Sequence, residues 1–306
     1  MMVKRVLVTG AYGFIGRHVA RHFAAAGWSV TGIGHGSWAR SEWRQWGIAE
    51  WHTADITLES LLTYAGQPDV VVHCAGSGSV GFSLSNPYQD FQRTVATTAA
   101  VLEFVRLYAP GARVVYPSSG AVYGAAQHLP MAEGDPAAPV SPYAAHKLIV
   151  EQLCASYARN FGLSAIMVRL FSVYGKGLRK QLLWDACQKI TGGTHEFFGT
   201  GAETRDWLHV NDAAALLMAA SDHADAACQI VNGGTGVSVP VREVLQELYA
   251  ALGKNGGPQF GGHTRAGDPS HVQADISRIS AWGWRPGVSW KEGMHEYAAW
   301  FRDGAL

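Results

Sequence analysis

The segment Tyr143-Ala144-Ala145-His146-Lys147 places a phenol and an ammonium four residues apart. In a helix, residues at this spacing lie on one face. An ammonium beside a phenol favours the phenolate and lowers the phenol pKa from about 10 toward the working range. A tyrosine in that setting can exchange a proton with a substrate oxygen. We therefore predict that Tyr143 and Lys147 are catalytic.

A second polar segment, Tyr116-Pro117-Ser118-Ser119-Gly120, follows an apolar run typical of a buried strand. Ligands of open α/β sheets bind at the carboxyl ends of the strands. A serine hydroxyl at this place can donate a hydrogen bond to the reacting oxygen. The sequence thus predicts that a serine joins the tyrosine and the lysine.

The chain opens with an apolar run that ends in a glycine-rich turn, with Gly10, Gly13 and Gly16 spaced three apart. These glycines let the backbone turn sharply, approach a pyrophosphate and pack the next helix closely, while the N-terminus of that helix offers N–H groups to an anion. The context of strand, turn and apolar helix predicts a dinucleotide site. Its other predicted contacts in the turn are Tyr12, Phe14 and Ile15.

The second predicted strand ends in Gly34-His35-Gly36-Ser37, without a carboxylate. NAD sites of this type usually carry an acid here that binds the ribose 2′-hydroxyl. A 2′-phosphate would meet no repulsion, and His35, Ser37 and Arg40 could donate hydrogen bonds to it. We expect NADP(H), with NAD(H) as the alternative. Further predicted cofactor contacts are Gly34, Asp55, Ile56, Cys74, Ala75, Tyr143 and Lys147.

Apolar runs typical of strands and longer segments typical of helices alternate through the first half of the chain. This alternation indicates a parallel sheet covered on both faces, a doubly wound α/β fold of the Rossmann type. The predicted strands are 3–9, 29–34, 70–74, 113–117 and 165–171, and the predicted helices are 15–26, 88–108 and 142–161. After about residue 172 the chain becomes rich in glycine loops. We predict a dinucleotide-binding domain over residues 1–172 and a mainly substrate-binding region over 173–306, with one later segment returning to the sheet.

The composition favours a globular protein that binds small ligands. The 306 residues are 48% hydrophobic and 16% charged, and the net charge is zero, which gives no support for binding nucleic acid or an anionic membrane. Four cysteines stand far apart, which argues against a zinc site and a disulfide framework. The first strand begins too early for a signal peptide, and no apolar run approaches the ~20 residues of a membrane span. We expect a cytoplasmic protein with no metal.

These motifs resemble those of the extended short-chain dehydrogenases/reductases, in the nucleotide-sugar epimerase/dehydratase family, and the resemblance runs over nearly the whole chain. The glycine motif of the family falls on Thr9 to Gly16, and its catalytic hydroxyl, tyrosine and lysine fall on Ser119, Tyr143 and Lys147. The resemblance implies a nucleotide-diphospho-sugar substrate and a homodimer formed through helices of residues 88–108 and 142–161. On this basis, the predicted substrate-binding residues are Ser79, Ser118, Ser172, Arg205 and Arg265.

Departures from the family pattern bear on the reaction. The dehydratases carry Asp-Glu after the catalytic hydroxyl, whereas Ser119 is followed by Gly120-Ala121, which argues against water elimination. Our first hypothesis is therefore an NADPH-dependent reductase of a 4-keto nucleotide sugar. The alternative is a nucleotide-sugar 4-epimerase with a retained cofactor, since both need the same three residues. A third hypothesis, a non-catalytic NADP sensor, predicts loss of the tyrosine or the lysine, and both are present.

Overall fold

A computed structural model describes residues 3–125, 128–262 and 270–304. Its largest sheet has seven strands in the order β10-β6-β5-β4-β1-β2-β3, and β1 to β6 pair in parallel. These strands are β1 Arg5–Thr9, β2 Ser29–Gly34, β3 Glu50–Thr53, β4 Val70–His73, β5 Arg113–Ser119, β6 Ala165–Leu170 and β10 Gln229–Gly233. The predicted doubly wound α/β fold is confirmed.

The helices in the described part of the chain are mostly short. They are α1 Phe14–Ala25, α2 Arg40–Gln45, α3 Leu58–Tyr64, α4 Val80–Ser85, α5 Pro87–Phe91, α6 Thr97–Tyr108, α7 Pro142–Phe161, α8 Gln181–Thr191, α9 Val210–Asp222, α10 Val241–Ala251, α11 Ser277–Ala281 and α12 Trp290–Arg302. Among the described residues, no helix combines the length and the apolar character that crossing a bilayer requires.

Helix α7 has the bounds that the sequence predicts, because both of its ends are encoded locally. The Ser141 hydroxyl accepts a hydrogen bond from the Ala144 N–H at 3.3 Å, and Pro142 occupies the first helical position. Gly162 ends the helix in the left-handed region, at φ +69°. A helix fixed at both ends presents its residues at predictable places.

The predicted helix 88–108 is interrupted, which is a difference from the sequence-based expectation. A π-helical turn, Gln92–Ala96, separates α5 from α6. The hydroxyls of Thr97 and Thr98 donate to the carbonyl oxygens of Arg93 and Thr94, four residues earlier, at 2.7 and 2.6 Å. These bonds compete with the backbone N–H groups for the same acceptors, which favours a wider turn.

The described chain divides into two compact units, and each contains several chain segments. The first unit holds Met1–Val122, Ala137–Leu170 and Ala214–Val231; the second holds Tyr123–Pro136, Phe171–Ala213 and Asn232–Leu306. One boundary between the units falls after Leu170, and Ala214–Val231 belong to the first unit. The division into a dinucleotide-binding domain and a substrate-binding region stays a prediction.

The second unit contains two small sheets. One has the order β11-β9-β7 and the other pairs β12 with β8. The strands are β7 Ser172–Tyr174, β8 Glu196–Phe197, β9 Thr204–His209, β11 Ser238–Pro240 and β12 Gln259–Phe260. The predicted strand 165–171 therefore ends at Leu170, and the residues after it form β7 in a different sheet.

A buried carboxylate organises the loops of the second unit. Asp206 on β9 is fully buried, and it accepts hydrogen bonds from the Thr235 backbone and hydroxyl at 2.7 Å each. Its other oxygen accepts from the backbone N–H groups of Gly236 and Ala274, at 2.9 and 3.1 Å. One side chain thus joins three segments that are distant in sequence.

We expect Asp206→Asn to lower the free energy of unfolding by at least about 2 kcal/mol, because the amide NH₂ would face backbone donors that then lack an acceptor. Asp185→Asn is the matched control, since Asp185 is exposed and pairs with Lys189 one helical turn away. Urea denaturation of both variants measures the difference. Equal losses would show that the four hydrogen bonds contribute little.

Candidate active site

The glycine turn has the shape that a pyrophosphate requires. Gly10 lies at φ +70°, and a Cβ atom there would stand 2.6 Å from the Ala75 nitrogen. A Cβ on Gly16 would collide with the Gly10 carbonyl, so α1 can start this close to β1 only with glycine. Helix α1 begins after Gly13 with no side-chain cap and no acid in its first turn. Its N–H groups therefore suit an anion, and the turn fits the phosphates of a dinucleotide.

The end of β2 has less free space than the sequence indicates, and a negative charge lies beside the predicted cationic donors. A Cβ on Gly34 would lie 3.3 Å from the Gly10 Cα and 3.4 Å from the indole of Trp51, so Trp51 fills the space where an acid at position 34 would project. His35 pairs with the Asp55 carboxylate at 3.4 Å. A carboxylate therefore does stand beside this strand end, supplied by the segment after β3.

Other predicted cofactor contacts lie around the same edge of the sheet. Ser37 and Arg40 are exposed, and Ile56 is buried. At the end of β4, burial lowers the pKa of His73 to about 3 and raises the pKa of the Cys74 thiol to about 12. Both groups are neutral at physiological pH, so the cofactor path beside Ala75 carries no charge from them.

The three predicted catalytic residues converge in the first unit. Tyr143 and Lys147 occupy the first two turns of α7, and Ser119 ends β5. The Ser119 oxygen accepts from the Ala121 N–H at 3.2 Å, and its hydroxyl is hydrogen-bonded with the Tyr143 phenol. The Tyr143 N–H donates to the Ser83 hydroxyl at 3.0 Å, which fixes the start of the helix.

Lys147 lies near Tyr143, as its spacing predicts, but its hydrogen bonds are to strand β5. Its ammonium donates to the Tyr116 phenol oxygen at 2.9 Å and to the Pro117 carbonyl at 3.0 Å, while the Tyr143 ring centroid is 5.9 Å away. Burial lowers the pKa of Lys147 to about 8.

The predicted lowering of the Tyr143 pKa is not the net result in the protein alone, because burial dominates. Burial raises the pKa of Tyr143, and the nearby carboxylate of Asp90 adds to the rise. The hydrogen bond from Ser119 is what opposes it. In the protein alone, Tyr143 is thus a neutral phenol that can donate a proton.

Ser118 has a structural role, unlike the substrate contact predicted from the sequence. It is buried, and its hydroxyl donates to Glu151 on α7 at 2.6 Å. Glu151 also forms two hydrogen bonds with the buried Arg169 guanidinium, at 3.0 and 2.7 Å. The two serines therefore contact different residues of α7, Ser118 the buried Glu151 and Ser119 the Tyr143 phenol.

The other predicted substrate residues lie in several places. Ser79 in the first unit caps α4, since its hydroxyl oxygen accepts from the Phe82 N–H at 3.2 Å. Ser172 and Arg205 lie on neighbouring strands of the three-stranded sheet, and the Arg205 guanidinium donates to the Thr204 carbonyl at 2.8 Å. Arg265 lies outside the described residues. The roles of these residues in binding substrate stay predictions.

Sequence reasoning missed two supporting residues of this site, Tyr116 and Glu151, and did not foresee that Asp55, a predicted cofactor contact, pairs with His35. Glu151 carried a usable signal, because it follows Tyr143 and Lys147 at the same four-residue spacing. Tyr116 gave none, and the pairing of Asp55 with His35 gave none either, since in both cases the partner is distant in sequence. All four cysteines are free, and no group of described residues could hold a metal ion.

Comparison with known proteins places the whole chain among sugar-nucleotide enzymes. A sequence model of the NAD dependent epimerase/dehydratase family matches residues 6–234. The UDP-glucose 4-epimerase of Mycolicibacterium smegmatis is 32% identical over 98% of this chain and 99% of its own. Two solved structures, both of UDP-glucose 4-epimerases, share the fold. The enzyme from Thermotoga maritima, with UDP-glucose, has a TM-score of 0.88 at 25% identity over 98% and 99% of the two chains. That from Thermus thermophilus, with NAD, has a TM-score of 0.86 at 28% identity over 99% and 100%.

The neighbouring serines allow a matched test of the two roles. We expect Ser118→Ala to lower the free energy of unfolding by about 1–3 kcal/mol, because the buried Glu151 loses a donor. Ser119→Ala should change stability little but raise the pKa of Tyr143, because it removes the hydrogen bond that opposes burial. Urea denaturation and absorbance titration, with Tyr143→Phe to identify the signal, separate the effects. If the Tyr143 pKa shifted in Ser118→Ala and not in Ser119→Ala, the structural and catalytic roles of the two serines would be reversed.

Proposed function

We propose, from the premise that this chain belongs to the NAD-dependent epimerase/dehydratase family, that it is a nucleotide-sugar 4-epimerase acting on a UDP-hexose. The observation that carries the proposal is the convergence of Ser119, Tyr143 and Lys147 beside a glycine turn that fits a dinucleotide. The 4-keto reductase hypothesis has no support from the relatives, whereas the epimerase alternative agrees with their names.

We propose NAD as the cofactor, in place of the NADP(H) expected from the sequence. The matching family is described as NAD dependent, and the Thermus thermophilus relative was solved with NAD. The pairing of His35 with Asp55 supports this choice, because it puts a carboxylate where a 2′-phosphate would be repelled. His35, which the sequence predicts as a donor to the 2′-phosphate, is instead the partner of Asp55.

Epimerisation at C4 requires that a hydride and a proton leave and return. When bound, NAD supplies the hydride acceptor for C4 and a positive charge that favours ionisation of a nearby phenol. Tyr143 takes the proton from the C4 hydroxyl as a general base and later gives it back as a general acid. Ser119 orients the same oxygen through its hydroxyl.

Lys147 contributes charge and does not itself transfer the proton. Its pKa of about 8 leaves it mostly protonated at neutral pH. A positive charge fixed near Tyr143 stabilises the phenolate form, which must be present before the sugar proton is taken. Net proton consumption over a full cycle is zero, because the same tyrosine takes and returns the proton.

We propose that Arg205 and Ser172 in the second unit contact the nucleotide diphosphate, since guanidinium geometry suits phosphates. We also propose a homodimer that uses the helices between residues 80 and 161. Its support is a set of apolar side chains that α4 to α7 expose, namely Leu84, Tyr88, Leu107, Tyr108, Ile149 and Phe161.

We expect the purified protein to interconvert UDP-glucose and UDP-galactose without added dinucleotide, as followed by proton NMR of the anomeric signals. Mass spectrometry of the ligand released on denaturation should identify NAD. Tyr143→Phe should keep the fold and the bound cofactor but lower turnover by about 10²–10⁴-fold. Consumption of NADPH in proportion to a 4-keto sugar, with no interconversion, would favour the reductase instead.

A further inference from the structure

The ammonium of Lys147 is held by two oxygens of strand β5. A lysine ammonium has three N–H donors. One is directed to the Tyr116 phenol oxygen at 2.9 Å and one to the Pro117 carbonyl at 3.0 Å. Because the donors are tetrahedrally arranged, fixing two of them fixes the direction of the third. The position of the charge relative to Tyr143 therefore depends on β5 as well as on α7.

The Tyr116 phenol is built into the core. Its side chain is 1% exposed, and its ring lies beside that of His73, with the centroids 5.9 Å apart. Burial raises the pKa of Tyr116 well above its usual value, so the oxygen that accepts from Lys147 belongs to a neutral phenol. Phenylalanine at this position would fill the same space but would remove the acceptor.

We propose that Tyr116 is a positioning residue for the reaction, which holds the Lys147 ammonium at the carboxyl end of β5. This inference rests on the proposed function, in which Lys147 stabilises the Tyr143 phenolate. The hydroxyl of Tyr116 acts through Lys147 and not on the sugar. Its loss leaves the ammonium with one anchor, the Pro117 carbonyl, and with a less defined position.

The charged and titratable groups around Lys147 set the direction of the pH effect. The carboxylates that raise its pKa are Asp90 on α5 and Glu151 on α7, and Glu151 is neutralised by Arg169. The other titratable neighbours are neutral near pH 7, namely His73, Cys74, Tyr116 and Tyr143. Removing the phenol acceptor therefore lowers the pKa of Lys147 below about 8, because the charged form loses a hydrogen bond.

The first test is Tyr116→Phe, assayed for UDP-glucose epimerisation across pH. We expect kcat to fall about 10-fold or more with little change in KM, since a hydrogen bond to a charged group is lost. The alkaline limb of the kcat profile should move to lower pH, because the variant loses the protonated lysine earlier. Tyr297→Phe is the matched control: its buried hydroxyl donates to the Leu178 carbonyl at 2.6 Å in the second unit. An unchanged profile in Tyr116→Phe, or an equal shift in both variants, would overturn the proposal.

A second test needs no substrate and so stands even if the proposed function fails. The free energies of unfolding of Tyr116→Phe, Lys147→Met and the double variant form a double-mutant cycle. We expect the loss caused by Tyr116→Phe to disappear in the Lys147→Met background, because no ammonium then needs the phenol oxygen. A Tyr116→Phe protein that folds only with Lys147→Met present would also support the coupling. The same loss in both backgrounds, or failure of both to fold, would show that the hydroxyl serves the core and not Lys147.

Discussion

The site depends on keeping one positive charge inside the protein. An ammonium taken out of water is costly unless oxygen acceptors replace its hydration. For Lys147 those acceptors are the Tyr116 phenol and the Pro117 carbonyl, both on β5. Ser119 ends the same strand, so the contact that stabilises the buried charge also sets α7 against β5 and brings Tyr143 to Ser119. The requirement to solvate one lysine thus fixes the geometry of the catalytic group.

Much of this arrangement could be predicted from the sequence, because local rules encode it. The bounds of α7 follow from its cap at Ser141, its initial proline and its terminal glycine. The glycine turn and its helix follow from the spacing of Gly10, Gly13 and Gly16. These features need only neighbours in the chain, and their confirmation places Tyr143 and Lys147 on one helical face.

The remainder depends on contacts between distant segments. No local pattern shows that Ser118 faces Glu151 while Ser119 faces Tyr143, because this follows from how α7 lies on the sheet. The sequence has no acid at the end of β2, and the carboxylate that lies beside this strand end is that of Asp55, about 20 residues later in the chain. The Lys147 ammonium is hydrogen-bonded to β5 because the Tyr116 phenol oxygen is 2.9 Å away, and the packing of α7 on the sheet determines that distance. For the serines and Lys147, the packing of α7 on the sheet decides which polar neighbour becomes the partner; for Asp55, the pairing of β2 with β3 does.

In the proposed reaction, the hydride and the proton at C4 leave and return within one site. The direct measurement uses UDP-glucose with deuterium at C4, incubated with the purified protein and no added dinucleotide, and follows the label in the UDP-galactose product by mass spectrometry and NMR. The mechanism predicts that the product keeps the deuterium at C4, since the abstracted hydride goes back to the same carbon. Product in which solvent hydrogen has replaced the deuterium would contradict it.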